Sequence, residues 1–155
     1  MRDTNRTLIS DYFACLNRHD LENAAALVAP EFQIHGIARR ALHVQEWMRA
    51  LEAVFDSFPD GRLTIDDAIV EGYRLAIRYT FCGTHLAAFR DAPPSGRRVQ
   101  AECAIILHMS GGQIYEAWFS ADFGDIFRQL GLPPIAYNYA DYNFIDDKLK
   151  QGEKN

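Results

Sequence analysis

The five histidines of this chain are the side chains best suited to acid–base chemistry, because imidazole has an ordinary pKa of about 6.5 and exchanges protons near neutral pH. Their spacing contains no HExxH motif or other close set of metal ligands, so no metal site is predicted. No GxGxxG or GxxxxGK[ST] string occurs, and the Gly-Gly pair at 111–112 is typical of a hairpin turn. The sequence therefore predicts neither a metal nor a nucleotide cofactor.

The three cysteines offer a second kind of chemistry, nucleophilic attack or disulfide formation. Cys15, Cys82 and Cys103 are odd in number, widely spaced and set among apolar residues, which favours a reducing compartment over a disulfide framework. Cys103 has the parity of the predicted inner strand face, but nothing in the sequence indicates an activated thiolate. All three are expected to be core residues.

Helices are predicted to come first along the chain. Apolar residues recur at helical spacing over residues 4–18, from Asp20 through LENAAALVA, and over residues 42–58. Asp20 is expected to cap the second helix, and Pro30 to end it, because proline disfavours helical geometry in the residue before it. The segment EFQIHG is predicted to be a short strand before the third helix.

Beyond residue 58 the apolar period changes to two, which predicts strands. Two hairpins turn at Glu71-Gly72 and at Ser110-Gly111-Gly112, with the loop LAAFRDAPPSGRR between them. Asp122 then begins a last short helix through IFRQL. This order predicts an α+β fold, a cone-shaped, curved antiparallel sheet covered on one face by helices, with an internal apolar pocket.

Composition and charge limit the classes of protein to which the chain can belong. Its 155 residues suit a single domain, residues 1–134, followed by an aromatic and then polar tail, residues 135–155. A net charge of −5 disfavours nucleic-acid binding. No apolar run reaches the roughly 18 residues needed to cross a membrane, and no signal peptide is recognised, so a cytoplasmic location is expected. The segment Ala104–Leu107 is apolar on both strand parities, which favours a homodimer that covers the second sheet face.

A family resemblance becomes recognisable at the third and fourth long strands. It is carried by RYTFCGTHLAAFRDAPPSGRRV, GGQIYEAW and ADFGDIFRQLG, with weaker signals in YFACLNRHDLE, LVAPEF and FPDGRLTIDDAIVEG. From about Asn5 to Gly131 the chain resembles the SnoaL-like polyketide cyclases, or ester cyclases, of the nuclear-transport-factor-two-like superfamily. The resemblance implies a cone-shaped α+β fold, frequent homodimers, no cofactor, and a hydrophobic pocket in which a ring is closed by an intramolecular aldol step.

The acid–base pair of that family does not carry over to this chain. Cyclases of the family resemble one another in a histidine on the strand after the Pro-Pro loop and an aspartate late in the next strand. Counted from the Gly-Gly turn and from ADF, these places are occupied by Ile105 and Phe119. Neither side chain can accept a proton from a carbon acid, so aldol cyclisation by the usual residues is not expected.

Three polar residues do match places that relatives similarly occupy, and they are the catalytic candidates: His35, His85 and Asp122. His85 shares its strand face with Tyr79, which favours a position in the pocket. A structural role is the alternative for each histidine, and for His85 this is anchorage of the Pro-Pro loop. The alternative for Asp122 is a helix cap.

The remaining candidates are expected to bind substrate through shape and apolar area. They are Tyr12, Trp47, Phe55, Tyr79, Ile105 and Phe119. Together these residues suggest a cofactor-independent cyclase or isomerase that acts on an apolar small molecule, a polyketide- or terpenoid-like intermediate. Two alternatives stay open: a non-catalytic module that binds an apolar ligand or dimerises, and a hydratase or dehydratase of the same superfamily.

Overall fold

The computed structural model describes residues 2–89 and 92–132, so the predicted tail, residues 135–155, lies outside the described part of the chain. The described residues form an α+β fold, which confirms the predicted class. Its elements are α1 Arg2–Asn17, α2 Leu21–Ala26, β1 Val28–His35, β2 Leu42–His43, α3 Val44–Ser57, β3 Arg62–Glu71, β4 Arg74–Thr84, β5 Arg98–Ser110, β6 Gln113–Ala121 and α4 Phe123–Gln129.

The six strands form one open sheet in the order β2-β1-β6-β5-β4-β3. Strand β1 runs parallel to β6, with Ile34 opposite Ala117, while the other neighbouring pairs are antiparallel. The expected antiparallel sheet is therefore a mixed one. A parallel pair needs a long crossover connection, and here the chain from α3 through β5 supplies it.

The second helix is shorter than the sequence predicts. It ends at Ala26, and Pro30 lies inside β1 instead of ending a helix. Val28 pairs with Ile114, and the register of the β1–β6 ladder shifts between Val28 and Gln33. An irregular stretch of ladder tolerates proline, because the missing N–H then breaks no regular hydrogen bond.

Helices α1 and α3 belong to the core on the inner face of the sheet. Alternate residues of β5 are buried there, namely Val99, Ala101, Cys103, Ile105, Leu107 and Met109. Helix α1 is held over β3 at both ends, since the Asn5 amide donates to the Gly72 carbonyl at 3.1 Å and the Asn17 amide to the Leu63 carbonyl at 2.8 Å. These bonds position the inward residues of α1 above the sheet.

A second apolar cluster lies where α4 and the β4–β5 loop (residues 85–97) meet the start of β5. It consists of Phe58, Phe89, Val99, Phe127 and Leu130. The Gln129 side chain joins α4 to β5 by accepting the Gln100 N–H at 2.9 Å and donating to the Gln100 carbonyl at 2.8 Å. Helix α4 is thereby fixed beside β5 at the end of the sheet that carries the loop.

The outer face of the sheet carries a row of apolar residues that are neighbours across four strands. Ile69 pairs with Ala76, Ala76 with Ile106, and Ile106 with Trp118. The side chains remain open to solvent, with exposures of 65% for Ile69, 49% for Ile106 and 37% for Trp118. We call these four residues the outer apolar row. Among the described helices, none combines the length and the hydropathy that a membrane span requires.

Candidate functional site

His35 lies on the outer face of the sheet. Its strand neighbour Ile34 is buried in the core, so the side chain of His35 points the other way. The Nε2 atom lies 2.8 Å from Oε1 of Glu116, and the imidazole stacks on the Trp118 ring with centroids 5.2 Å apart. His35 is therefore part of a surface cluster on the face opposite α1 and α3.

His85 is completely enclosed at the end of β4. Its Nδ1 accepts the Ser95 backbone N–H at 3.2 Å and lies 2.9 Å from the Ser95 hydroxyl. Its own backbone N–H donates to the Arg97 carbonyl at 2.9 Å, and its carbonyl accepts the Gly96 N–H at 2.8 Å. These four contacts anchor the β4–β5 loop, which is the structural role considered for this residue.

The protonation of His85 follows from the same contacts. Because Nδ1 accepts a backbone N–H, the ring proton of the neutral form resides on Nε2. That nitrogen is buried and has no hydrogen-bond partner among the residues that the structure describes. Burial lowers the pKa of His85 below its ordinary value, and the nearby Ala87 backbone opposes this only in part. The imidazole is therefore held in its neutral form near pH 7.

Asp122 caps α4. Its Oδ1 accepts the backbone N–H of Asp125 at 2.9 Å, and the carboxylate is exposed. The described hydrogen bonds join it to neither His35 nor His85. The three catalytic candidates thus occupy three places, an outer sheet face, a loop anchor and a helix cap, and their described contacts do not bring them together.

The interior between α1, α3 and the sheet instead contains two phenols, of Tyr12 and Tyr79, and two thiols, of Cys15 and Cys103. The indole Nε1–H of Trp47 on α3 donates to the Tyr12 hydroxyl oxygen on α1 at 3.0 Å. The Phe13 ring makes edge contacts with the rings of Tyr12, at 6.2 Å, and of Tyr79, at 5.2 Å. Tyr79 is paired with Cys103 across the β4–β5 ladder, and both are buried.

Burial keeps Tyr12, Tyr79 and Cys103 protonated. It raises the pKa of Tyr12 to about 12, although the hydrogen bond from Trp47 acts in the opposite direction. It raises the pKa of the Cys103 thiol to about 11. The pKa of Tyr79 is raised well above its ordinary value by burial first, and then by the proximity of Cys103 and Tyr12. At neutral pH the interior therefore presents hydrogen-bond donors and no charge from these groups.

The predicted substrate-binding residues belong to this interior. Five of them are buried in the core cluster, Tyr12, Trp47, Phe55, Tyr79 and Ile105, and Phe119 packs against it. Ile105 and Phe119 are direct partners across the β5–β6 ladder. Phe55 lies towards the end of α3, where the His19 ring stacks on it at 4.0 Å.

Two relationships are absent from the sequence-based expectations. The apolar stripes of α1 and α3 predicted that Tyr12 and Trp47 face inward, but no sequence signal predicts the hydrogen bond between them. Ser95 was not a candidate, although it holds His85.

Within residues 2–89 and 92–132, no group of three or more His, Cys, Asp or Glu side chains could hold a metal ion. The cysteines Cys15, Cys82 and Cys103 are free thiols.

Solved structures with this fold come from several bacteria. AclR from Streptomyces galilaeus is 24% identical with a TM-score of 0.78, and the match covers 86% of this chain and 99% of AclR. TsrD from Streptomyces laurentii is 26% identical with a TM-score of 0.77, covering 86% of this chain and 98% of TsrD. A SnoaL-like polyketide cyclase from Agrobacterium tumefaciens is 27% identical with a TM-score of 0.68, covering 80% and 95%.

The sequence itself matches a family model. No curated protein matches it significantly. The model described as SnoaL-like polyketide cyclase, however, matches residues 6–130, which include most of α1, every later element through α4 and all nine candidate residues. The chain therefore belongs to the SnoaL-like polyketide cyclase family.

Proposed function

We propose that this protein is a cofactor-independent cyclase or isomerase of an apolar natural-product intermediate, polyketide- or terpenoid-like in character. The reaction takes place in the interior between α1, α3 and the inner face of the sheet. Family membership supports cyclisation chemistry. The interior residues indicate which kind of substrate and which kind of ring closure are favoured.

The observation that carries this proposal is the opposed pair Ile105 and Phe119 on the inner face. An apolar pair at this position favours an uncharged substrate, because a charged group placed beside it would lose its hydration without compensation. The polar groups nearby, Tyr12 and Tyr79, are neutral donors with raised pKa values. They are suited to polarise a substrate oxygen and unsuited to abstract a proton at neutral pH.

Catalysis in such an interior depends mainly on conformation. Holding a flexible substrate in the shape from which its ring closes can lower a barrier by up to roughly 7–11 kcal/mol in well-oriented systems. A pericyclic or oxa-cyclisation step has a barrier of this kind, since the reacting atoms must first be brought together. His85 and Asp122 then support the walls of the site by anchoring a loop and capping a helix, and His35 belongs to the outer surface.

A non-catalytic binding module is the second candidate. It is favoured by one observation, the separation of His35, His85 and Asp122, which leaves no described acid–base pair in the interior. Hydration or dehydration, the third alternative, would require a water molecule to be activated beside the apolar residues of the interior.

Mass spectrometry of products distinguishes these functions. The purified protein is incubated with apolar polyene and polyketide intermediates in buffer made with ¹⁸O-labelled water. A product of unchanged mass and new retention time supports cyclisation or isomerisation. A gain or loss of one water, with label incorporated on hydration, supports a hydratase or dehydratase. Saturable binding without conversion of any bound compound supports the binding module and contradicts the enzyme.

We further propose that the chain forms a homodimer through the outer face of the sheet. The outer apolar row exposes Ile69, Ala76, Ile106 and Trp118 side by side. A contiguous apolar strip on an otherwise polar face is typical of an interaction surface. In the neighbouring row Glu71 pairs with Arg74, so a second copy would meet charges of both signs at its rim.

A further inference from the structure

We propose that Tyr12 donates a hydrogen bond to a carbonyl oxygen of a neutral substrate, and that Trp47 is the positioning residue that directs this donor. The inference rests on the proposed function, since it assigns the polar contact within the same interior site. The indole of Trp47 and the hydroxyl of Tyr12 share one described hydrogen bond.

The direction of that bond is set by chemistry. An indole nitrogen can only donate, so the 3.0 Å contact makes the Tyr12 oxygen the acceptor. The phenolic hydrogen of Tyr12 must then point elsewhere. Among residues 2–89 and 92–132, the described hydrogen bonds of Tyr12 include none that its hydroxyl donates.

A buried donor without an acceptor is unusual in a folded protein. Tyr12 is only 5% exposed, so bulk water does not readily take the place of the missing acceptor. The proximity of Tyr12 contributes to the raised pKa of Tyr79, but no described hydrogen bond joins the two hydroxyls. Accepting a bond from Trp47 also makes the Tyr12 hydroxyl a stronger donor, because hydrogen bonds in a chain polarise one another.

The side chains around Tyr12 determine which kind of substrate group can accept its hydrogen bond. The buried polar side chains of the described residues are Asn5, Ser57 and His85, so no buried lysine or arginine is available to pair with an anion. A carboxylate or phosphate would lose its hydration beside Ile105 and Cys103 without a counter-charge. A ketone, enone or quinone carbonyl instead needs one donor and an apolar wall, and both are present.

Matched probes test this assignment. The first is 2-acetonaphthone with a ¹³C-labelled carbonyl, and the second is 2-ethylnaphthalene, which has a similar apolar body without the oxygen. Binding of each is measured by equilibrium dialysis, and the carbonyl stretch of the bound ketone by infrared difference spectroscopy. The variants are Tyr12→Phe and Trp47→Phe, with Tyr115→Phe as a control that makes the same chemical change as Tyr12→Phe at an exposed position.

We expect Tyr12→Phe to weaken ketone binding by about 5- to 15-fold, the loss typical of one neutral hydrogen bond, with hydrocarbon binding changed less than about twofold. The bound ketone should show a carbonyl stretch lowered in frequency in the wild type and restored towards its value in hexane by Tyr12→Phe. Trp47→Phe should reduce the same shift, which a merely structural role of the indole would leave unchanged. The Tyr115→Phe control should retain the full shift.

Folding of the variants is checked by near-ultraviolet circular dichroism, because Tyr12→Phe leaves the Trp47 N–H unpaired. If that variant is unstable, Tyr12→Phe/Trp47→Phe removes both polar groups and should bind the hydrocarbon while showing no carbonyl shift. Equal loss of ketone and hydrocarbon, or a full shift retained in Tyr12→Phe, would overturn the carbonyl assignment and leave the apolar site intact. Failure of both probes to bind the wild type would instead contradict the proposed apolar site and this inference with it.

Discussion

Ile105 and Phe119 oppose each other across the β5–β6 ladder, on the sheet face that α1 and α3 cover. These are the two places where the family resemblance puts a histidine and an aspartate. Their pairing shows that residues at these positions are close enough to act together. In this chain the pair contributes packing in place of proton transfer.

A double-mutant cycle at Ile105→His and Phe119→Asp should reveal strong coupling. Each single variant places an unpaired polar or charged group against the core, and should lower the free energy of unfolding by more than about 1 kcal/mol. The double variant should recover about 0.5–3 kcal/mol, since an imidazolium and a carboxylate would then be direct neighbours. Denaturant unfolding at pH 6 measures all four proteins, and strictly additive losses would contradict the pairing.

The anchoring role of His85 predicts a pH dependence of stability. Its pKa is lowered in the folded protein, so below about pH 6.5 the unfolded chain binds a proton that the folded chain resists. The wild type should therefore lose stability as the pH falls from 7 to 5. The slope from this one residue is at most about 1.4 kcal/mol per pH unit.

His85→Asn provides the matched comparison, because its amide oxygen can accept the Ser95 N–H in place of Nδ1 without titrating. Chemical denaturation of both proteins between pH 5 and 7.5 measures the difference in their free energies of unfolding. We expect the wild type to lose stability relative to His85→Asn as the pH falls from 7 to 5. Parallel curves would show that the imidazole is not the titrating group.

Much of this architecture follows from local sequence patterns. The two hairpins were predicted because Gly72 and the Gly111-Gly112 pair interrupt strands of period two, and these glycines have positive φ angles. The placement of β1 was not predictable in this way. Its parallel pairing with β6 joins residues about eighty positions apart, and the Ala-rich segment before Pro30 has a local preference for helix that the sheet overrides.

In the candidate site, too, local sequence patterns predict some features, and the tertiary fold alone determines others. Strand parity correctly placed Tyr79 and Ile105 on the inner face, because alternation within a single strand is a local property. The outer position of His35 depends on which parity of β1 faces the core, and the register with β6 decides that. The bond between Trp47 and Tyr12 depends on how two helices sit relative to each other, which no spacing within either helix encodes.

The protein should tolerate loss of the Asp122 charge, but not loss of the side-chain oxygen that caps α4. Asparagine is as good a helix cap as aspartate, so Asp122→Asn should change the free energy of unfolding by less than about 0.5 kcal/mol. Asp122→Ala leaves the Asp125 N–H without its cap and should cost about 0.5–2 kcal/mol. Thermal unfolding of the three proteins measures this. If Asp122→Asn abolished turnover of an identified substrate without a change in stability, the carboxylate would be catalytic after all.

The outer position of His35 predicts that its removal leaves the interior unaffected. His35→Ala should bind 2-ethylnaphthalene within about twofold of the wild type. It should lose no more than about 1 kcal/mol of stability, because the contact with Glu116 is partly exposed to solvent. Glu116→Gln, which removes the partner's charge, serves as the comparison. A large drop in ligand affinity for His35→Ala alone would place the imidazole in the binding site and contradict the surface assignment.

The outer apolar row predicts a dimer that a single lysine can dissociate. Ile106 lies in the middle of the row, between Ala76 and Trp118, so a lysine there would bring a charge to the centre of the proposed interface. Burying that ammonium group without a partner is costly, and Ile106→Lys should raise the dimer dissociation constant by at least about 10-fold.

Sedimentation velocity over a range of protein concentrations measures the dimer population. Leu86→Lys is the matched control, since Leu86 is an exposed apolar residue in the β4–β5 loop, outside the row. We expect the wild type and Leu86→Lys to form dimers at concentrations where Ile106→Lys is monomeric, with all three equally folded by circular dichroism. A wild type that sediments as a monomer throughout, or equal dissociation of both lysine variants, would show that the row is not the dimer interface.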